Sequence, residues 1–219
     1  MARQKRQSLI HTLFEDEARS VGFGCIAGLD EVGRGALAGP VVAAAVILDP
    51  GAPLPEGLDD SKKLTPLQRE RIAEELRRTS FCYAYGRVEP EEIDETNILV
   101  ATRRAMLQAL EKLQPRADFL LIDAIQLRES SLPQKAIIRG DSASASIAAA
   151  SVLAKTYRDA LMREYDTQFP VYGFARHVGY GTREHWAALR EHGCCTIHRR
   201  SFRGVIPEEI SEESSGAES

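Results

Sequence analysis

The chain has 219 residues, 43% apolar and 27% charged, the balance of a globular protein with one substantial core. No apolar run approaches the about eighteen residues of a membrane-spanning helix, and the opening "MARQKRQSLIHTLFEDEARS" lacks the apolar stretch and cleavage site of a secretory signal, so a cytoplasmic protein is expected. The net charge of −4 argues against a polyanionic partner, yet the closing "PEEISEESSGAES" is acidic and reads as a disordered tail over 207–219; without it 28 bases face 27 acids, and a nucleic acid is allowed.

The first apolar run ends in "AGLDEVGRGALAGP", residues 27–40, with Asp30 and Glu31 side by side before a glycine-rich turn. A pleated strand sends neighbouring side chains to opposite faces, so the pair shares a face only if the backbone bends between or just after them. Gly33 and Gly35 are suited to such a bend. The same argument makes Asp30 and Glu31 non-equivalent, with Asp30 continuing the strand into the site and bridging any paired ions. "GPVVAAAVIL" follows as a central strand buried on both faces. "LTPLQRERIAEELRR" predicts a helix with Thr65 as N-cap and Pro66 at its first position. "SFCYAYGRV", residues 80–88, alternates as a strand, and "EEIDETNILVATRRAMLQALEKL" carries one long amphipathic pattern that stops before Pro115.

"ADFLLIDAIQL" is a short buried strand that meets Asp123, and "KAIIRGD" repeats the form with Asp141. The alanine-rich "SASIAAASVLAKTYRDALMREYD" predicts a helix packed closely on a sheet, so strands and helices alternate as in an α/β domain. Beyond Pro170 the chain turns basic and rich in glycine, aromatics and histidine. One helix, "TREHWAALREHG", has Thr182 as N-cap and Gly193 past its end. This predicts an α/β domain over 1–170 and a helical extension over 171–206 packed on it.

Four carboxylates at neighbouring strand ends, Asp30, Glu31, Asp123 and Asp141, would repel by up to about 4 kcal/mol per close pair at an effective dielectric near 20. Such a cluster requires protonation or cations, and oxygen-only ligands select hard ions such as Mg²⁺ or Mn²⁺. Two ions roughly 4 Å apart would form the clamp used in phosphodiester displacement. Asp141 has a competing reading as an N-cap, because "GDS" stands just before a helix. The cysteines, Cys25, Cys82, Cys194 and Cys195, have no C-x-x-C spacing and read as packed thiols, with a metal at "HGCCTIH" the weaker option.

The segments "AGLDEVGRGALAGPVVAAAVIL", "DDSKKLT", "IDETNILVAT", "FLLIDAIQL", "GDSASASIAAASVLAKTYRD", "YGFARHVGYGT" and "HRRSF", spread over most of residues 24–203, resemble in order and spacing those of bacterial ribonuclease HII. The resemblance implies a ribonuclease H-like fold, a five-stranded mixed sheet flanked by helices with a helical C-terminal extension. It implies metal-dependent cleavage of RNA in RNA/DNA hybrids and at single ribonucleotides embedded in duplex DNA, by a monomer with no membrane partner. By motif, Asp30, Glu31, Asp123 and Asp141 match the family's metal-site acids; Gly33, Arg34 and Gly35 match its glycine-arginine-glycine loop, and Tyr180 its ribose-sensing tyrosine. Lys62, Lys63, Arg199 and Arg200 lie in shared polar motifs and are candidates for duplex phosphates. Gly181 stands where some members carry proline, and Ala124 where glycine is frequent.

Three other readings compete. A histidine-dependent ribonuclease would use His177 and His198 and leave a cyclic phosphate. A non-catalytic RNA/DNA-hybrid binding module would gain nothing from clustered acids facing a polyanion. A triphosphate-binding loop fails because "GRGALAGP" lacks the G-K-[ST] ending.

Overall fold

The computed structural model describes residues 10–206, so the acidic tail lies outside the described residues. Its strands are β1 (Ile26–Val32), β2 (Val41–Ile47), β3 (Cys82–Val88), β4 (Phe119–Asp123) and β5 (Gln134–Ile137). Its α-helices are α1 (Leu13–Ser20), α2 (Pro66–Thr79), α3 (Pro90–Glu95), α4 (Ile98–Glu111), α5 (Ala145–Gln168), α6 (Phe174–His177) and α7 (Arg183–His192). The strands form one sheet in the order β3-β2-β1-β4-β5. The pairs β1–β2 and β2–β3 are antiparallel, and β1–β4 and β4–β5 are parallel.

Alternation along β1 and β2 divides the core. Ala27, Leu29, Ala43 and Ala45 face α4 through Ala101, Ala105 and Met106. Val42, Ala44 and Val46 pack with Ala145, Ala148, Val152 and Leu153 of α5 and with Ile72 and Leu76 of α2. Small residues let the helices approach closely: a Cβ on Gly28 would stand 2.1 Å from the Ser146 backbone carbon. This contact fixes α5, and the turn that enters it, against the end of β1. Past Pro170, Tyr172, Phe174, Ala188 and Leu189 share an apolar cluster with Leu37, Ala38 and Met162.

Local chemistry explains the helix ends. Thr65 Oγ1 accepts from the Gln68 amide at 3.3 Å while Gln68 Oε1 accepts from the Thr65 amide at 2.9 Å, a complete capping box. The long amphipathic pattern over 91–113 is two helices instead of one. Asn97 breaks it, its side-chain oxygen accepting from the amides of Leu99 and Val100 at 3.0 Å each, so the chain restarts as α4. Helix α1 has no counterpart in the sequence reading; its buried Glu15 caps the start of α5 through Ser144 and Ser146.

Candidate active site

The parallel register pairs Leu29 with Ile122, so the next residues, Asp30 within β1 and Asp123 at the end of β4, stand side by side on neighbouring strands. Both carboxylates lie on the α5 face, Asp30 in line with Gly28, and Asp123 in line with Leu121, which packs on Ile147. The strand runs straight through both acids to Val32, and the bend comes only afterwards. Alternation therefore starts Glu31 from the other side of the pleat, while its carboxylate still feels the charges of Asp123 and Lys62.

Each acid has its own environment. Asp30 is buried, and its Oδ1 accepts from the Glu31 amide at 2.8 Å. Burial first, then the charge of Glu31, lifts its carboxyl well above the ordinary value, against a lowering hydrogen bond from Ser151 of α5. Glu31 is also raised by burial, opposed by Arg34, whose Nη1 donates to Oε1 at 3.1 Å. Its Oε2 is buried and has no partner. Asp123 is raised by burial and by Asp141, while the Gly140 amide donates to its Oδ1 at 2.7 Å and opposes the shift.

Asp141 sits in a 3₁₀ turn, Gly140–Ser142, entered through left-handed Arg139 at φ 57°. It is not the N-cap of α5, because Ser144 takes that position and accepts from the Ile147 amide. Its carboxylate instead receives Lys62 Nζ at 3.2 Å. Lys63 Nζ donates to Asp59 at 3.0 Å and to Ser142 Oγ at 3.2 Å. The "DDSKK" loop thus brings its lysines to the acid cluster. Ala124, directly after Asp123, has φ 55°, a left-handed geometry natural to glycine.

Among the described residues, no three of histidine, cysteine, aspartate and glutamate are grouped closely enough to hold an ion as they stand. The donor set nevertheless fits a hard divalent cation. It is all oxygen, the carboxyls of Asp30, Glu31 and Asp123 are driven upward by burial and mutual repulsion, and one buried oxygen of Glu31 lacks any partner.

The glycine loop is built over two buried guanidinium groups. Gly33 has φ +91°, and a Cβ there would lie 2.2 Å from Arg158 Nε. Arg158 donates to the carbonyls of Pro40 at 2.9 Å, Val178 at 2.8 Å and Ala38 at 3.0 Å. Arg199 donates through Nε and Nη2 to Gly39 at 3.0 and 2.9 Å and through Nη1 to Arg34 at 2.9 Å. Arg199 is 0% exposed, and burial, with the charge of Arg158, lowers it to about 9. The expectation that Arg199 holds a duplex phosphate is corrected: its donors are spent on backbone carbonyls inside the protein. Arg200 stays at the surface, its amide donating to Asp94 at 2.8 Å.

Tyr180 is 37% exposed. Its ring borders the glycine loop, with Cε1 3.9 Å from where a Gly35 Cβ would stand, and Arg158 Cζ lies 5.8 Å from its centroid. The Leu37 amide ties the two segments by donating to Gly179 O at 2.8 Å. Acids, loop and tyrosine are thus linked through β1 and its turn. Sequence reasoning missed Ser151 beside Asp30 and the strut role of Arg158, which no local pattern announces.

The histidine alternative loses its residues. His177 and His198 are buried, and both ring nitrogens of each are occupied within the fold. Cys194 and Cys195 are free thiols, raised by burial.

A five-stranded mixed sheet with carboxylates side by side on its adjacent parallel strands β1 and β4 defines a ribonuclease H-like hydrolase. Comparison with known proteins narrows the class. The family profile for Ribonuclease HII matches residues 27–205. Ribonuclease HII of Geotalea uraniireducens is 51% identical over 210 residues, covering 96% of each chain, and that of Ruminiclostridium cellulolyticum is 53% identical over 189 residues, covering 86% of this chain and 74% of the relative. Among solved structures, the PCNA:RNase HII complex from Archaeoglobus fulgidus matches with a TM-score of 0.72 at 26% identity, covering 82% of this chain and 96% of that one. The chain belongs to the ribonuclease HII family, nucleic-acid hydrolases with ribonuclease H activity on RNA/DNA hybrids. Among the described residues, no helix is long and apolar enough to cross a membrane.

Proposed function

We propose that the chain is a metal-dependent endonuclease that also nicks duplex DNA on the 5′ side of a single embedded ribonucleotide, leaving 3′-hydroxyl and 5′-phosphate ends. The observation that carries this reading is the partnerless buried Oε2 of Glu31 in a carboxylate cluster where burial pushes the carboxyls of Asp30 and Glu31 upward. Asp30, Glu31, Asp123 and Asp141 would hold Mg²⁺ or Mn²⁺, two ions with substrate bound, which supply an activated water and stabilise the departing 3′-oxygen.

The protein's own residues do the rest. Asp30 and Asp123, on one face, orient the reacting phosphate's surroundings, while Lys62 gives up its contact with Asp141 to the incoming backbone phosphate. Lys63 and Arg200 contact duplex phosphates at the rim. The main chain of Gly33, Arg34 and Gly35 approaches the ribose and reads its 2′-OH, which both donates and accepts. Tyr180 lays its ring against the sugar at the RNA-to-DNA junction. The catalytic domain over 1–170 and the extension over 171–206 act together, as a monomer in the cytoplasm.

The test is a DNA duplex with one ribonucleotide, supplied with Mg²⁺ or Mn²⁺. The wild type nicks 5′ of the ribonucleotide, and Asp30→Asn and Asp123→Asn lose nearly all rate while remaining folded. Undiminished cutting by either variant removes that acid from the metal site, and cyclic phosphate ends formed in chelator overturn the metal route.

A further inference from the structure

Three buried histidines lie directly behind the Tyr180 turn: His177, His185 and His198 are 7%, 0% and 2% exposed. They are not a loose cluster, because His177 and His185 stack at 4.5 Å and Phe174 meets His185 edge-on at 5.5 Å. His198 lies against the Tyr172 ring at 4.9 Å. Packing on these aromatics holds the plane of each ring, and the hydrogen-bond partners decide which way round it sits.

The hydrogen bonds then fix every proton. The Cys195 amide, which can only donate, gives its hydrogen to His198 Nδ1 at 2.9 Å. His198 therefore carries its proton on Nε2 and donates to His185 Nε2 at 3.0 Å. His185 accordingly carries its proton on Nδ1 and donates to the Tyr180 carbonyl at 3.0 Å, where only a donor is acceptable. The chain of bonds runs one way, from Cys195 through two neutral imidazoles to Tyr180. Burial holds both His185 and His198 down at about 4, so neither is charged near neutral pH.

His177 braces the same turn from the other side. It accepts from the Gly179 amide at 3.3 Å and donates from Nε2 to Tyr172 O at 2.8 Å, while its own carbonyl accepts from the Tyr180 amide at 2.9 Å. The Tyr180 carbonyl receives a second donor, the Thr182 amide, at 2.8 Å. The backbone of Tyr180 is thus held on both sides while its ring remains partly exposed.

We propose that His185 is a positioning residue for Tyr180, with His198 serving to fix its tautomer: the hydrogen bond that His185 Nδ1 donates to the Tyr180 carbonyl sets where the ring stands, and so sets discrimination at an RNA-to-DNA junction. This rests on the reading of Tyr180 as the ribose contact. Hydrolysis of a continuous RNA/DNA hybrid, which presents few junctions, depends less on this chain.

The experiment compares kcat/KM on a DNA duplex bearing one ribonucleotide with kcat/KM on a continuous hybrid, with folding followed by circular dichroism. His185→Phe keeps the ring and its packing but removes both nitrogens, and lowers the ratio about tenfold, the worth of one hydrogen bond to a buried carbonyl. His185→Asn, whose amide nitrogen stands where Nδ1 does, keeps the ratio. His185→Gln, whose amide reaches toward His198, loses it, and so carries the test if the phenylalanine variant does not fold. In a Tyr180→Ala background the His185 variants add nothing. Wild-type ratios in both the phenylalanine and glutamine variants overturn the inference, as does an equal further loss in the Tyr180→Ala background. If Tyr180→Ala itself leaves the ratio unchanged, the ribose reading falls; if it lowers the ratio and the His185 variants do not, this inference alone falls.

Discussion

If Asp30 holds a metal ion as proposed, it carries a conflict between stability and function that a single substitution exposes. Its carboxyl is buried, faces the charges of Glu31 and Asp123, and is raised well above 3.8. In the folded protein it holds its proton more tightly than in the unfolded chain, so stability falls as pH rises from near 3.8 through the raised folded value. Asp30→Asn keeps the oxygen that accepts from the Glu31 amide and deletes the charge. Repulsion between close unit charges is about 4 kcal/mol at an effective dielectric near 20, of which relaxation and water leave about 1–3 kcal/mol to be recovered. At about 2–4 °C per kcal/mol for a chain of this size, the variant melts several degrees above wild type at pH 7 in chelator. The two curves converge near pH 4, where the unfolded carboxyl also binds a proton. Adding Mg²⁺ raises the wild type and not the variant, because binding to the folded state alone contributes stability by mass action. Thermal melts with and without chelator, from pH 4 to 8, supply the measurement. A variant less stable than wild type in chelator at pH 7 refutes the reasoning.

Other substitutions separate struts from contacts. Gly33→Ala places a methyl against Arg158 at positive φ and costs about 2–4 kcal/mol in urea unfolding, from backbone strain and disturbed guanidinium bonds. Arg199→Met leaves the Gly39 and Arg34 carbonyls without donors and lowers stability by about 2–4 kcal/mol, with no change in the salt dependence of duplex binding. Lys62→Met does the reverse, flattening the log–log salt slope by about 1 with little loss of stability, as binding titrations from low to moderate salt will read. Ala124→Gly relieves the left-handed strain at φ 55° and stabilises by about 0.5–1 kcal/mol, measured in the same urea series.

What the sequence disclosed follows from what local patterns encode. The strand-length apolar runs at 41–47 and 119–123, and the helix starts at Thr65 and Thr182, are written in neighbouring residues and match the fold. The pleat argument at Asp30 and Glu31 also depends on neighbours alone, and β1 does run unbent through both residues. The break at Asn97 was missed because the apolar spacing runs on across it, while the cap that interrupts it is a single side chain. Arg199 was misread for a different reason. A basic residue in a polar motif looks solvated, and only tertiary structure shows that the Gly39 and Arg34 carbonyls, far away in sequence, consume its donors.

Those two buried guanidiniums also bear on why the corner after β1 suits a polyanion. Carbonyl oxygens present partial negative charge, and a glycine-rich loop has little side-chain bulk to screen them. Here the carbonyls of Arg34, Ala38, Gly39 and Pro40 all accept from Arg158 or Arg199 inside the protein. Both arginines give every donor nitrogen to a carbonyl, so their positive charge is not cancelled by a paired carboxylate. It lies under the loop, beside a row of acids that by themselves would repel a phosphate. A nearby positive field and an inward-facing set of carbonyls offset that repulsion on the side where Gly33 to Gly35 and Tyr180 stand. Charge placed on buried struts is shielded from salt far more than charge on surface lysines, so this contribution persists where the contact proposed for Lys62 would fade.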